Sequence, residues 1–460
     1  MKPVWRRIVA VALVTMICVV YLPALGASFQ YDDFLVIVRD TRVQSFAAWC
    51  ASMPGMRPLL KLSYAFNHEL GGGVRGFRLL NIAIHAVNAV LVLWLLERLS
   101  RRHGLGERAA LGVAGIAALV FALHPAQTEA VTYISGRSSA LSALGALAAL
   151  AAWLRGARWW AAVFFALAVA TKEAAVVLPL AMLLWWATSP PAESATNARA
   201  WRSALPLLLV GVALGAALLA IAPFRELLAE SLVRRSPWQN LLVQSEALPY
   251  LAGQLLRLHG MNADPDLPLP TALAPFVALR LAILAGLIAS AIALRRRQGA
   301  LAFGVLWFFI WLLPTHSLLP REDPANDRQL YLALVGPAWL LVICGWQLLR
   351  RLHLPHGAVT VLAAVTALIM SGALAQATWA RNAAYRTEIA FWEATAALSP
   401  RKARVLNNLG HAYALACRDT EARRMFERAA ALDPDDFRPR VNLHLLERGA
   451  LFPEGERHCF

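Results

Sequence analysis

Apolar residues in this 460-residue chain come in long unbroken runs separated by short polar stretches, from residue 5 almost to residue 380. About eleven runs are long enough, some barely, to cross ~30 Å of hydrocarbon as helices rising 1.5 Å per residue. They fall near 5–25, 77–97, 109–124, 138–154, 159–171, 174–188, 203–222, 273–294, 299–316, 331–349 and 357–378. The pattern predicts an all-α polytopic membrane protein. The first run, Ile8 to Leu25, follows Lys2, Arg6 and Arg7 in the manner of a signal peptide. No small-x-small cleavage site closes it, so it reads as an uncleaved first helix. Two longer polar segments, about 26–76 and 223–272, carry the amphipathic stretches "SFAAWCASM" and "SPWQNLLVQSEALPYLAGQLL", which read as interfacial helices.

Charge orients this array. With the N-terminus inside, alternate loops carry Arg98, Arg101, Arg102 and Arg108, then Arg155 and Arg158, then Arg199 and Arg202, then Arg295 to Arg297, then Arg350 and Arg351, as the positive-inside rule requires. The net charge of +16 is thereby explained by topology, and nucleic acid is not expected as a partner. Of the 17 acidic residues before position 379, fourteen fall on the outer side. Topology does not demand that asymmetry, whereas an outward-facing polar site does. Five cysteines show no CxxC and no zinc-like spacing, so no metal or other cofactor is expected. Cys417 and Cys459 could pair in an oxidising compartment.

The chain changes character at its end. Residues 1–379 read as the transmembrane domain and 380–460 as a small extracytoplasmic module of tetratricopeptide repeats. "VLNNLGHAYALACRDTEARRMFERAAALDP" places Leu406, Leu409, Gly410, Tyr413, Ala422, Phe426, Ala429 and Pro434 at the 34-residue repeat's positions. Trp392 and Pro400 precede Phe426 and Pro434 by one such period. The module is either a peptide-binding surface or a cap packed on the membrane domain.

The outer loops hold the candidate chemistry. Asp32 and Asp33 lie between Tyr31 and Phe34 just after the first run, where partial burial beside a like charge helps one carboxylate act as a base. "HPAQTEAVTYISGRSSA" brings His124, Glu129 and Arg137 to a short outer turn. "ATKEAAVVLP" offers Lys172 and Glu173 between two runs, a position where a lysine can hold a phosphate. Arg328 and Tyr331 precede the tenth run, and Arg57 and Lys61 share a helix face in the first outer loop. Asn81, His85 and Asn88 form a polar stripe at helical spacing, which interhelix hydrogen bonds explain at least as well as chemistry. Paired acids and several cations on one membrane face fit a reaction on a lipid-linked phosphate. There is no P-loop, GxSxG, HExxH or dinucleotide fingerprint.

In order along nearly the whole chain, "YDDF", "RPLLKLSYAFNHEL", "FRLLNIAIHAVNAVL", "FALHPAQTEAVTYISGRSSAL", "ATKEAAVVLP", "HSLLP…NDRQLYLALVG" and the terminal repeat resemble the transmembrane-and-tetratricopeptide-repeat (TMTC) proteins and their bacterial relatives, within the GT-C glycosyltransferases that include protein O-mannosyltransferases. The resemblance implies a GT-C-like bundle and an inverting transfer of sugar from a polyprenyl-phosphate donor to a hydroxyl acceptor, often Ser or Thr of a secreted or envelope protein. It implies Asp32 as base, Asp33 in support and Glu129 as the acid of the second outer loop. Arg57, Arg137, Lys172 and Arg328 would bind the donor phosphate, with His124, Glu173 and Tyr331 as substrate contacts. The expected location is a bacterial inner membrane, with the site and the repeats on the periplasmic side. Two rivals stand beside this reading: the same fold acting on a glycan or lipid acceptor, and a non-catalytic scaffold that presents its repeats. A transporter is disfavoured because the ionisable residues crowd one face, not the midplane.

Overall fold

The computed structural model describes residues 3–53, 55–189, 197–317, 319–352, 355–452 and 457, and every regular element among them is helical. All eleven apolar runs fall on helices. Five helices, Val4–Gly26, Gly73–Arg102, Ile134–Leu154, Pro275–Leu294 and Gly357–Ala384, are long and apolar enough to cross a membrane, and counting three bent pairs as single spans gives up to eight. Arg158–Thr171, Glu173–Ala187 and Gly299–Leu312 are apolar but shorter. At 1.5 Å per residue they cover roughly 21–23 Å, less than the hydrocarbon thickness. The eleven expected crossings thus stand at five to eight by length and composition. The apolar windows of Pro275–Leu294 and Gly357–Ala384 are only 11% and 17% buried in the protein. Apolar surface on that scale needs lipid against it, which marks a multi-pass membrane protein.

Small residues let the bundle close. Alanines and leucines of Arg137–Leu154 pack on Arg158–Thr171, and a Cβ on Gly145 would stand 2.9 Å from the Cβ of Ala168. The polar stripe of Gly73–Arg102 binds helices together, as its spacing allowed. Asn81 Nδ2 donates to Val131 O at 3.0 Å and Asn88 Nδ2 to Ala140 O at 2.8 Å. His85 Nδ1 meets the Tyr331 hydroxyl at 2.7 Å.

Two breaks matter for the site. Pro125 cannot continue the helix Glu107–Leu123, and the residue before it, His124, is extended at ψ 131°. The following short helix turns away by 50°, which carries Glu129 inward from the bundle edge. Asp327–Ala333 and Val335–Arg351 are likewise bent by 56°, and the first piece carries Arg328. The two half-helices meet each other.

The last long helix, His356–Ala384, runs past residue 379 and hands over to Glu388–Leu398, Ala403–Leu415, Asp419–Leu432 and Arg438–Glu447. Gly410 is required between the middle two, since a Cβ there would lie 2.7 Å from the Phe426 ring. Leu409, Tyr413, Ala422 and Phe426 share one core cluster, and Tyr133, Tyr385, Phe391 and Trp392 belong to the same cluster. The C-terminal helices are therefore packed on the membrane bundle at the second outer loop. Cys459, considered as the partner of Cys417, lies outside the described residues.

Candidate active site

The first outer loop is fastened at both ends before it presents its acids. Arg78, fully enclosed in Gly73–Arg102, donates to Ala27 O and Ser28 O and, at 3.2 Å, to Thr132 O. From the other side, Gln30 Nε2 donates to Tyr385 O at 3.0 Å and Ser28 N–H to Arg386 O at 3.1 Å. The chain then turns at Tyr31, whose φ of 38° is a left-handed conformation uncommon for a non-glycine residue. Asp32 and Asp33 follow.

That turn separates the pair. Asp33 is fully buried and accepts from Gln30 N–H at 3.1 Å, Ser135 N–H at 2.8 Å and the Ser135 hydroxyl. Burial raises its pKa to about 6, against the opposing hydrogen bonds and the Arg78 charge. Asp33 thus clasps the first outer loop to the second. The Asp32 side chain keeps 36% of its exposure and faces a cleft. Its own N–H donates to the Tyr133 hydroxyl at 3.1 Å. Burial pushes its carboxyl up, while Arg328 and the Tyr133 hydroxyl pull it down.

Arg328 stands among three carboxylates. Its guanidinium lies 3.9 Å from Asp32, 3.6 Å from Glu129 and 3.8 Å from Asp323. None of these is a short hydrogen bond, so the cation is shared and not spent. Glu129 also accepts from the backbone N–H of Asp327 at 2.8 Å and of Arg328 at 3.3 Å, capping the half-helix that carries the arginine. Asp327 is held from behind by Gln254 at 2.9 Å and Arg381 at 3.4 Å. Glu129, expected among the catalytic acids, here orients Arg328.

Beyond Arg328 lies a second small cavity. Lys172, Ser139, Thr315, Arg328 and Tyr331 are among its lining residues. Lys172 Nζ donates to Ser139 Oγ at 2.8 Å. Arg57 is paired with Glu173 through both guanidinium edges, Nε–Oε2 at 3.0 Å and Nη2–Oε1 at 2.5 Å, from a left-handed position at φ 50°. Burial lowers the pKa of Lys172 well below its usual value, and Arg321, Arg57 and Arg328 push in the same direction. Four basic residues therefore gather here, Lys172, Arg57, Arg321 and Arg328, with Glu173 paired to Arg57 and the acids of the first cleft beside Arg328. Arg328 lines both cavities, so it joins the carboxylate side to the cation side.

Other expected site residues stand apart. Arg137 is enclosed, donating to Asn81 Oδ1 at 2.6 Å, Ser63 O at 3.0 Å and Phe77 O at 2.9 Å, with Tyr64 and Phe77 rings on its faces. It clamps three segments together. His124 accepts from Ala126 N–H and meets Leu255 O at 3.2 Å, which stabilises the break before Pro125. Tyr331 does line the Lys172 cavity, but its hydroxyl is taken by His85 and Asn88 inside the bundle. Sequence reasoning did not single out Arg78 or Arg404, and it noticed Arg321 beside Arg328 but set it aside. Arg321 sits in a loop dense in charge and looked solvated. Arg78 lies inside the stretch "FRLLNIAIHAVNAVL", where the polar stripe and not the arginine drew notice. Arg404 stands just before the stretch quoted for the C-terminal repeat pattern and was not singled out.

The cleft at Asp32 is narrow, about 40 Å³, far below the ~300–1,000 Å³ of ordinary ligand pockets. A larger groove, about 570 Å³, is apolar and runs along Trp5, Leu13 and Ile116, away from these charges. A substrate at Asp32 must widen the cleft.

No family model and no solved structure matches the chain. Curated relatives do. It is 30% identical over 158 residues to protein O-mannosyl-transferase Tmtc2 of Drosophila melanogaster, covering 31% of this chain and 16% of the relative. It is 29% identical over 167 residues to the human protein O-mannosyl-transferase TMTC4, covering 31% and 22%, and 34% identical over 136 residues to Drosophila Tmtc1, covering 26% and 15%. The chain thus spans less than a quarter of the length of these relatives. Over about a third of its own length it is a distant homologue of TMTC protein O-mannosyl-transferases.

Proposed function

We propose that this chain is a membrane glycosyltransferase of GT-C type that moves a sugar from a polyprenyl-phosphate donor to a hydroxyl group, with Ser or Thr of an extracytoplasmic protein as the acceptor. The observation that carries the reading is the division of the acid pair. Asp33 is consumed by three hydrogen bonds, while Asp32 faces a cleft whose far wall is the cation Arg328. Homology to proteins named protein O-mannosyl-transferases supports it.

The residues divide the work as follows. Asp32 takes the proton of the acceptor hydroxyl. The oxygen attacks the anomeric carbon from the face opposite the phosphate, the C–O bond to the phosphate breaks, and its electron pair leaves with the polyprenyl phosphate. The sugar is thereby inverted. Charge grows on the phosphate oxygens, where Arg328, Lys172, Arg57 and Arg321 are worth most in a site poor in water. A phosphate that engages Arg328 also draws it from Asp32. Loss of that cation raises the carboxylate's proton affinity and makes it a stronger base once donor is bound. All eleven apolar helices cross or enter the bilayer in this reading, and the site opens on the outer, periplasmic face of a bacterial inner membrane.

The test is transfer by the purified protein from polyprenyl-phosphate mannose to a Thr-containing peptide, followed by mass spectrometry, beside Asp32→Asn. Product from wild type and none from a well-folded variant supports the reading. Equal turnover removes Asp32 from the mechanism, and a wild type inert with this donor that still binds protein partners favours a scaffold.

A further inference from the structure

The carboxylate side of the cleft is not built by the membrane bundle alone. Phe391, Trp392 and Arg404, all from the C-terminal helices, line it together with Tyr31, Asp32 and Arg328. Trp392 sets its ring edge to face against Tyr31, centroids 5.2 Å apart, beside the strained turn that aims Asp32. Arg404 reaches further. Its guanidinium forms a fork on Asp264, at 2.9 Å and 2.5 Å, and its Nη2 also meets Asp323 at 2.5 Å. Lys402 adds a second cation to Asp264 at 2.6 Å and donates to Pro265 O at 2.8 Å. Asp323 in turn stands 3.8 Å from Arg328, which stands 3.9 Å from Asp32. Charges alternate without a gap from the C-terminal helices to the acid: Asp264, Arg404, Asp323, Arg328, Asp32.

We infer that Arg404 is a positioning residue for the chemistry at Asp32, holding Asp323 against Arg328 and so deciding where Arg328 stands between Asp32 and Glu129. The C-terminal helices are then part of the catalytic unit and not only a tether for acceptors. The geometry argues for this over a simple docking contact. Lys402 and one edge of the Arg404 fork already secure Asp264, so docking alone does not need the Asp323 contact. Asp323 has no other cation than Arg404 and Arg328 among its ion pairs in the described residues. The titratable and charged groups lining the cleft with Asp32 are Arg328, Glu129, Asp323, Arg404, Asp264, Tyr31 and Tyr133, with Asp33 behind it. Arg404 lowers the proton affinity of Asp32 directly, and Asp323 raises it.

This inference rests on the transferase reading, so its test has two arms. In the first, the pH profile of mannose transfer from polyprenyl-phosphate mannose is compared among Arg404→Gln, Arg404→Lys, Asp323→Asn and wild type. Arg404→Gln loses a cation and leaves Asp323 with Arg328 as its remaining ion pair. Its acid limb is expected to move up by roughly half a unit to one unit, with kcat down about tenfold or more. Asp323→Asn is expected to move the limb down, and Arg404→Lys to restore it. General damage to the fold does not give opposite shifts from two neighbouring variants. In the second arm, which needs no turnover, carbodiimide labelling of Asp32 is mapped by peptide mass spectrometry against pH. Labelling requires the protonated acid, so it should persist to higher pH in Arg404→Gln. An unmoved labelling midpoint in both Arg404→Gln and Asp323→Asn overturns the inference. A shifted midpoint in a protein that transfers nothing leaves the positioning role standing and removes the donor reading instead. If Arg404→Gln does not fold, Arg404→Lys and Asp323→Asn decide.

Discussion

Arg328 stands 3.9 Å from Asp32 and at a similar distance from two other carboxylates, so this cation is held at the cleft by attraction but not by short hydrogen bonds. A group in that state can be drawn to an incoming anion at small cost. Arg328→Ala is expected to weaken donor binding roughly ten- to a hundredfold, the worth of one charge-assisted contact. It should also raise the acid limb of transfer, because Asp32 loses its opposing charge. Arg328→Lys should recover the pH limb more fully than the affinity, since lysine keeps the charge but not the planar fork. Titration with polyprenyl-phosphate mannose and a pH–rate profile read the two effects separately.

Asp32→Asn is expected to abolish transfer with folding and donor binding retained, whereas Asp33→Asn should be milder in rate and visible in stability. The pKa of Asp33 is raised to about 6 in the folded protein, above the ordinary carboxylate value near 4. The native state therefore holds this proton more tightly than the unfolded chain. Its ionisation costs stability as pH rises from about 4 to about 6. Asp33→Asn should flatten that slope in thermal unfolding, and an unchanged slope would place the proton elsewhere.

Lys172 gives a pH dependence of the opposite origin. Burial and three neighbouring arginines depress its pKa, and a bound phosphate restores the charged form. Donor binding then takes up a proton, and affinity falls as pH rises between the free and the bound pKa. The donor's phosphodiester does not titrate in that window. Lys172→Arg should bind with little pH dependence, and Lys172→Ala weakly at every pH. Isothermal titration in buffers of different ionisation heat counts the proton directly.

Gly136 is the tightest point of the second outer loop. A Cβ there would stand 1.9 Å from Glu129 O and 3.0 Å from Ala130 Cα, and backbone cannot yield as a side chain can. Gly136→Ala should displace Ser135 from Asp33 and Glu129 from Arg328, costing about 1–3 kcal/mol or more. The readouts are a lower unfolding temperature and a loss of transfer.

Deleting residues 401–460 removes Lys402 and Arg404 together with most of the C-terminal core. A module that served only to raise the local concentration of protein acceptors would leave transfer to a short peptide intact. The expected result is that short-peptide transfer fails as well, in protein first shown to be monodisperse.

How much of this was legible in the sequence varies with the physics. Apolar runs and the polar stripe at Asn81, His85 and Asn88 declare themselves because lipid and helix periodicity leave few alternatives. Asp32 was visible as a candidate, but its separation from Asp33 was not, since it hangs on the φ of Tyr31 and on Ser135, a hundred residues away. Arg137 and Arg328 look alike as letters. One is enclosed by carbonyls and rings, the other faces a cleft, and only packing distinguishes them. Arg404 was illegible for a further reason. A repeat motif reports how its own two helices pack, and says nothing of what its outer face touches.

The loop that bears Asp32 is secured by Tyr385 and Arg386, some 355 positions later in the chain. The acid is therefore made long before its anchors. A nascent chain can insert most of its helices while the first loop still lacks half of its fastening. In the proposed reading, the Asp32 site is complete only after the segment around residue 385 has emerged and docked. A chain that stops short of Tyr385 lacks this fastening, so its first loop has nothing on that side to hold Asp32 in place.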